Sequence, residues 1–505
     1  MTFIQNFPLF TIILSLFCAV ISFALPRKAA KLVTHCLLIL SAAMSASVLL
    51  YNLTSESGYF VYLMGHHPAP IGNEIAAGLI EPFFALIFET VILFAIIGGS
   101  SRIRTDIDEK RQGFFYIMVD LVHVALIALC YTNDIFTAFV FVEICTIASC
   151  AMLMIRKTGR ALVAATRYMI FSLVGSGLFL FGVVLLYAIT GQLLFPQIYE
   201  AVAALYESGE YHTPLTVSIA LMVSGLAIKS GLFPFHLWMP DTYSAGTSAA
   251  SSILSGVVSK GYIFLLLKVI FRAVGMTPFY ATGVQYLLFA FGIAGMILGS
   301  VSALHAKQLN FMIAFSSAAQ IGYIYMGIGI GSTLALTAAL FQMMAHAITK
   351  PVLFLADSGL RKSAGDTSAA EKFKALRGVG HTNRMAAAVF TAASMSMIGL
   401  PIFAGFIPKL LFATSAFGNH PAVTYIVLVA LSISTLLNVA YFLRTVITLY
   451  TPAPTHELTV IPARSNVGFL IAGVLLIALN VAIGLHAQPI LDLFEKGIQL
   501  FISVR

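Results

Sequence analysis

Apolar runs of about twenty residues, long enough to cross a hydrocarbon core, recur from one end of the sequence to the other. Cutting them at the polar clusters gives about fourteen candidate helices and leaves no room for a separate soluble domain, so residues 1–505 are read as one membrane domain. They fall near 8–26, 30–51, 76–99, 113–131, 133–155, 161–189, 214–233, 249–271, 280–304, 309–330, 333–359, 385–413, 422–449 and 466–490. The predicted fold class is an all-α polytopic membrane protein. Composition agrees: 59% of residues are hydrophobic and only 10% are charged, with a mean hydropathy of +0.96, far from a soluble domain. The first run, IQNFPLFTIILSLFCAVISFALP, lacks a basic start and a clear small-residue cleavage site, and is read as a retained helix.

Basic residues set the expected orientation, because cytoplasmic loops collect Lys and Arg. Arg27, Lys28 and Lys31 follow the first helix, Arg102, Arg104, Lys110 and Arg111 the third, and Arg156, Lys157 and Arg160 the fifth. Residues 52–75 and 190–213, after the second and sixth helices, contain neither Lys nor Arg, whereas 361–384, after the eleventh, is rich in both. A multi-pass protein of the inner (cytoplasmic) membrane with both termini outside is the expectation. The net charge of +8 is accounted for by these loops and does not imply a nucleic-acid partner.

Cys18, Cys36, Cys130, Cys145 and Cys150 lie in apolar segments, with no CxxC pair and no ligand-spaced histidines beside them. The sequence has no P-loop, no GxGxxG after a strand and no nucleophile elbow. No metal ligands, cofactor-binding residues, cofactor or catalytic residues are therefore expected, and any driving energy comes from elsewhere.

Ionisable residues at membrane depth are the informative ones, since each costs at least a few kcal/mol if it faces lipid, and such groups mark pathways. They are Glu143 in FVFVEICTIASC, Lys229 in GLAIKSGLFPFHLWMPD, Lys260 in LSGVVSKGYIFLLL, His346 and Lys350 in LFQMMAHAITKPVLF, and Lys409 in GLPIFAGFIPKLLF. Lys229 is followed by GLFP and Lys409 is preceded by GLPIFAGFIP, so both stand where Gly and Pro interrupt a spanning helix. Broken helices at corresponding places in two halves are the sign of an inverted-repeat transporter. Here they are the seventh and twelfth helices, five apart, which fits two five-helix repeats at 113–273 and 280–449. Five is odd, so the second copy starts from the opposite side of the membrane.

The segments AIKSGLFPFHLWMPD, SSILSGVVSKGY, IAFSSAAQIGYIYMGIG, HAITKPVLFLADSG and GLPIFAGFIPK, in that order, resemble the proton-translocating antiporter-like subunits shared by respiratory complex I, membrane-bound hydrogenases and Mrp-type sodium/proton antiporters. The resemblance covers roughly residues 115–415. It implies that Glu143 and Lys229 form a charged pair, that Lys260 and His346 are central relay groups, and that Lys409 serves the second broken helix. Tyr243 in PDTYSAG, where complex I subunits usually carry histidine, and a chain that stops soon after its last helix look nearest the Mrp D-type branch. Gln308, Asn310 and Phe311 stand where the family often has one acidic and two basic residues, and Thr247 where proline is frequent.

The chemistry stands without the resemblance. Desolvation opposes a buried ammonium and a nearby carboxylate favours it, so small movements or hydration decide whether the lysine keeps its proton, and the two groups titrate together. Plainer readings exist: a static Glu143–Lys229 pair, a structural charge at Lys260, a neutral core histidine at His346, and Lys350 holding a broken eleventh helix or its neighbour. His236 and Tyr243 beside the first break, and Asp134 near a helix start, are accessory candidates; His236 also reads as a helix-end donor. Glu81, Glu89, Asp134 and Asp357 read as interface or capping groups.

The leading expectation is an ion-translocating subunit that moves protons, with sodium as a second candidate ion. Its expected partners are other membrane subunits, with a peripheral redox arm as a further candidate. A stand-alone solute transporter would need a roomy midplane cavity, and a quinone- or cluster-binding redox subunit would need ligand motifs; the sequence offers a line of titratable residues instead.

Overall fold

Helices α1 (Phe7–Ala24), α2 (Arg27–Thr54) and α3 (Ile80–Gly98) open the chain, with a two-stranded antiparallel hairpin between the second and third, β1 (Phe60–Leu63) and β2 (Glu74–Ala77). This computed structural model describes residues 3–68, 72–365, 373–418, 420–452 and 466–503. Part of the basic stretch 361–384, namely 366–372, lies outside the described residues. Next come α4 (Gln112–Tyr131), α5 (Ile135–Met154) and α6 (Gly159–Thr190). The seventh span is in two pieces, α7a (His212–Ser230) and α7b (Trp238–Ala245). Then follow α8 (Ser248–Val274), α9 (Val284–His305), α10 (Leu309–Ile330) and α11 (Thr333–Ser363). The twelfth span is again split, α12a (Arg384–Ile398) and α12b (Phe406–Ala416), before α13 (Pro421–Tyr450) and α14 (Val467–Leu485).

Among the described residues, 13 helices are long and apolar enough to cross a membrane, and the two pieces of α12 supply a further crossing. The expected spans match them to within about five residues, except the seventh, which continues past the expected 233 to Ala245. Local chemistry sets the ends. The Thr158 hydroxyl caps α6 by accepting from the Ala161 N–H (3.2 Å), Ser332 does the same for α11 at Ala335 (3.2 Å), and glycines in the left-handed region close α6 and α10. Three features differ from the sequence reading. The hairpin was not anticipated. A separate helix, α15 (Gln488–Ser503), follows α14; it buries Phe494, Ile498 and Phe501 and shows its polar side outward, so it is too polar to span. The eleventh helix is not broken: α11 runs through Pro351 without interruption, and the Ser252 hydroxyl donates to the Pro351 carbonyl (3.3 Å).

Burial divides the helices by role. α8 and α11 are enclosed along their whole spanning lengths, whereas α1, α2, α6, α9, α13 and α14 show apolar side chains outward. The two enclosed helices carry Lys260, His346 and Lys350. Close approach of α6 and α7a depends on glycine: a Cβ on Gly225 would come within 2.5 Å of the Gly175 carbonyl oxygen, and one on Gly175 within 3.0 Å of the Lys229 side chain. Small residues let these helices touch at backbone distance.

Candidate ion-translocation site

The two breaks have the same construction. Gly231 (φ +83°) closes α7a, its N–H shared between the Ala227 and Ile228 carbonyls (both 3.1 Å), while the Leu232 N–H returns to Ala227 (3.0 Å). Gly399 (φ +93°) closes α12a with its N–H on Met395 (3.1 Å) and Ser396 (3.0 Å), and the Leu400 N–H returns to Met395 (3.2 Å). Only glycine adopts this backbone without strain, and the following proline prevents the helix from resuming at once. The lysines then differ in place: Lys229 sits in the last turn before its break, and Lys409 in the first turn after its own.

At the first break the Lys229 side chain is fully enclosed. Its Nζ donates to the Thr146 hydroxyl (2.7 Å), lies 3.6 Å from Glu143 Oε1 and faces the Tyr262 ring at 5.3 Å. Glu143, on α5, also accepts from the Ser176 hydroxyl of α6, and its side chain remains 24% exposed, so the pair spans from the lateral surface to the interior. Thr146 and the Tyr262 hydroxyl are 3.4 Å apart, which carries the hydrogen-bonded line to α8, two residues from Lys260.

Along the centre, α8 departs from α-geometry over Leu254–Val258, a π-helical turn. Such turns release carbonyls from the regular ladder. The Lys260 Nζ uses one, donating to the Ser255 carbonyl and to the Ser259 hydroxyl (3.2 Å). Ser255 reaches Ser317 of α10 at 3.0 Å. Lys350 of α11 donates to the Ile313 carbonyl (2.8 Å) and the Ser316 hydroxyl (2.5 Å). His346, one turn before it, has neither ring nitrogen engaged. It lines a small cavity with Gln320, Gln342, Thr349, Ser396 and Gly405, which reaches the second break. There Lys409 donates to the Ile398 (2.6 Å) and Met397 (3.3 Å) carbonyls and faces Tyr323 at 5.7 Å. Its partners are helix-end carbonyls, where Lys229 has a carboxylate.

Of the sequence-selected residues, Lys229, Lys260, His346 and Lys350 are buried among the central helices, Glu143 reaches Lys229 from the lateral surface, and Lys409 lies part-buried at the second break. The accessory residues do not all join them. His236 is buried in the link between α7a and α7b with its Nδ1 unengaged, and Tyr243 packs on Trp238 and on Phe354 of α11 with its hydroxyl unengaged. Asp134 stands apart, at the far end of α5, where it caps the helix by accepting from the Thr137 N–H (2.5 Å). Sequence reading passed over Asp120, His123, Lys268 and Arg272, all enclosed within spans. Glu81 pairs with Arg272 (3.2 Å), and Lys268 donates to the Cys130 (2.8 Å) and Thr132 carbonyls. The signal was there: FFYIMVDLVHVALIALCY and FLLLKVIFRAV each hold two ionisable groups in an apolar run.

Comparison with known proteins bears on this arrangement directly. The model of the NADH:quinone oxidoreductase/Mrp antiporter transmembrane family matches residues 132–437. The chain belongs to that family. Among curated relatives, NADH-quinone oxidoreductase subunit N of Desulforudis audaxviator is 29% identical over 87% of this chain and 86% of its own length. The D-type subunit of the Na(+)/H(+) antiporter of Alkalihalophilus pseudofirmus is 27% identical over 88% and 86%. In fold, the chain superposes with a TM-score of 0.86 on a chain of the membrane-bound sulfane sulfur reductase, an archaeal respiratory membrane complex, at 23% identity with 99% of this chain and 97% of that one covered. The family resemblance read from the motifs is borne out, and the matched segment contains all six of those residues.

Proposed function

We infer that this antiporter-like chain is an ion-translocating subunit of a multi-subunit membrane complex, and we propose that it moves protons along Glu143, Lys229, Lys260, His346, Lys350 and Lys409. The observation that carries the reading is the Glu143–Lys229 contact with its outlet through Thr146 and Tyr262. A fully enclosed ammonium is opposed by desolvation and held by one partly exposed carboxylate, a balance that loss or movement of the carboxylate tips. Hydroxyls beside it can both accept and donate, which suits proton transfer in either direction. Beyond it, His346 is a base with two free nitrogens beside a small cavity that Gln320, Gln342, Thr349 and Ser396 share. That cavity has room for about one water, too little for an organic solute, which favours protons and water.

The matching glycine caps support two inverted five-helix repeats, 113–273 and 280–449, related through the breaks in α7 and α12. Alternation of basic loops supports both termini on the outer side of a cytoplasmic membrane. Sodium as an exchanged ion and a peripheral redox arm as the driver belong to the same proposal; one relative is named as a Na(+)/H(+) antiporter subunit and another as an NADH-quinone oxidoreductase subunit. The test is Glu143→Gln in the reconstituted complex. It removes the charge that holds the Lys229 proton and keeps the size, so proton flux should fall about tenfold or more at matched assembly. Flux at the parental rate sinks the pairing.

A further inference from the structure

The first four helices hold a second buried cluster, wholly outside the segment that matches the family model. His123 of α4 lies between two hydroxyls and a carboxylate: its Nδ1 is 3.0 Å from Ser15 Oγ of α1, and its Nε2 is 3.2 Å from Ser41 Oγ of α2 and 3.6 Å from Glu89 Oε1 of α3. Both His123 and Glu89 are 0% exposed. Ser15 is placed to donate its hydroxyl to the Thr11 carbonyl (2.6 Å), and Ser41 to donate its own to Glu89 Oε1. With those donations made, each hydroxyl oxygen is open to accept an N–H from the ring.

We propose that His123, Ser41 and Glu89 form a second proton-carrying site, with Asp120 as its entry group and the Ser41 hydroxyl as the bridge. In the transfer, which starts once the ring has taken up a second proton, the Nε2–H bond of His123 breaks as an O–H bond forms on Ser41. The original Ser41 O–H bond breaks as one forms on Glu89 Oε1, leaving a neutral imidazole and a neutral carboxylic acid. Open positions exist on both sides: Glu89 Oε2 and Asp120 Oδ1 are buried without a hydrogen-bond partner. Asp120 lies one turn before His123, held at its other oxygen by Thr34 (3.0 Å), and about 12 Å in from Gln112 at the basic end of α4, at 1.5 Å per residue. The opposite end of α4 is where Lys268 grips the Cys130 and Thr132 carbonyls, and Lys268 shares α8 with Lys260. Nearer the site, Leu126, one turn after His123, lies against Gly261 of α8, the residue after Lys260.

The inference rests on the reading of the chain as a proton-moving subunit, and the test separates the two. Proton flux is measured in the whole complex reconstituted in vesicles, with Ser41→Ala, Ser41→Thr, Glu89→Gln and Glu143→Gln compared at matched assembly. Ser41→Ala and Glu89→Gln should each lower flux about tenfold or more, the size of a lost proton-transfer group, and Ser41→Thr should restore it by returning the hydroxyl. Parental flux in Ser41→Ala, or equal loss in Ser41→Ala and Ser41→Thr, overturns the hydroxyl bridge. If Glu143→Gln alone stops the flux, the second site falls and the first reading stands; parental flux in every variant overturns both. Should Glu89→Gln fail to assemble, the Ser41 pair decides.

Discussion

Lys229 separates a fixed charge from a proton carrier. Arginine stays protonated under essentially all conditions in proteins, whereas a buried lysine can release its proton, and arginine's planar fork binds a carboxylate well. If the charge merely holds α7a against α5, Lys229→Arg keeps it; if the residue relays protons, Lys229→Arg is nearly as damaging as Lys229→Ala. The relay predicts flux reduced about tenfold or more in both, measured at matched assembly with the complex driven by its own substrate. Full flux in the arginine variant would make Lys229 a structural charge. At this scale the sequence spoke clearly about charge and poorly about company. Glu143 and the lysines stood out because an ionisable group in an apolar run is rare and costly. Their hydroxyl partners Thr146, Ser176 and Tyr262 were not legible, because hydroxyls are ordinary in membrane helices and these meet only through the relative rotation of four of them. Glu89 was read as an interface or capping group; its buried neighbours on α2 and α4 give it another reading.

Elements were read well wherever length and apolarity decide, as the spans show, and badly where shape decides. The β1–β2 hairpin is too short to announce itself, and α15 mixes apolar and polar residues at helical spacing, which a search for continuous apolar spans passes over. The breaks in α7 and α12 were legible because Gly-Leu-Pro and Gly-Leu-Phe-Pro leave a helix few continuations. The approach of α6 to α7a offers a test at the same scale. Valine at position 225 would place its Cβ against the Gly175 carbonyl oxygen, at 2.5 Å, and force the helices apart. Overpacking of this kind costs about 1–3 kcal/mol. Gly225→Val should therefore lower the unfolding temperature of the purified complex and also reduce flux by moving Lys229 away from Thr146. Unchanged flux with a lowered unfolding temperature would show that Lys229 tolerates the displacement.

For the molecule as a whole, Glu143 marks a face. A carboxylate side chain 24% exposed at membrane depth is costly against lipid, about 2.5–3.5 kcal/mol on insertion scales, so the α5–α6 surface should be covered by another membrane subunit in the assembled complex. A photo-crosslinking amino acid in place of Ile147, one turn from Glu143 and 56% exposed, should capture that neighbour, whereas one at Leu436 on α13, 69% exposed, should not. Equal capture at both positions would refute the assignment of the face. The enclosure of α8 carries a consequence for how the chain is made. This helix holds Lys260, Lys268 and Arg272 within a single crossing, and on biological insertion scales each basic residue near a helix centre opposes entry into lipid by about 2.5–3.5 kcal/mol. Glu81 for Arg272, and the carbonyls of Cys130 and Thr132 for Lys268, are already synthesised when α8 leaves the ribosome; Lys260 has partners only within α8, and α10 and α11, which pack on the turn before it, are still to come. Emergence of α8 at the translocon should therefore be followed by a pause in or beside the channel, ending when α11 arrives to close the interior.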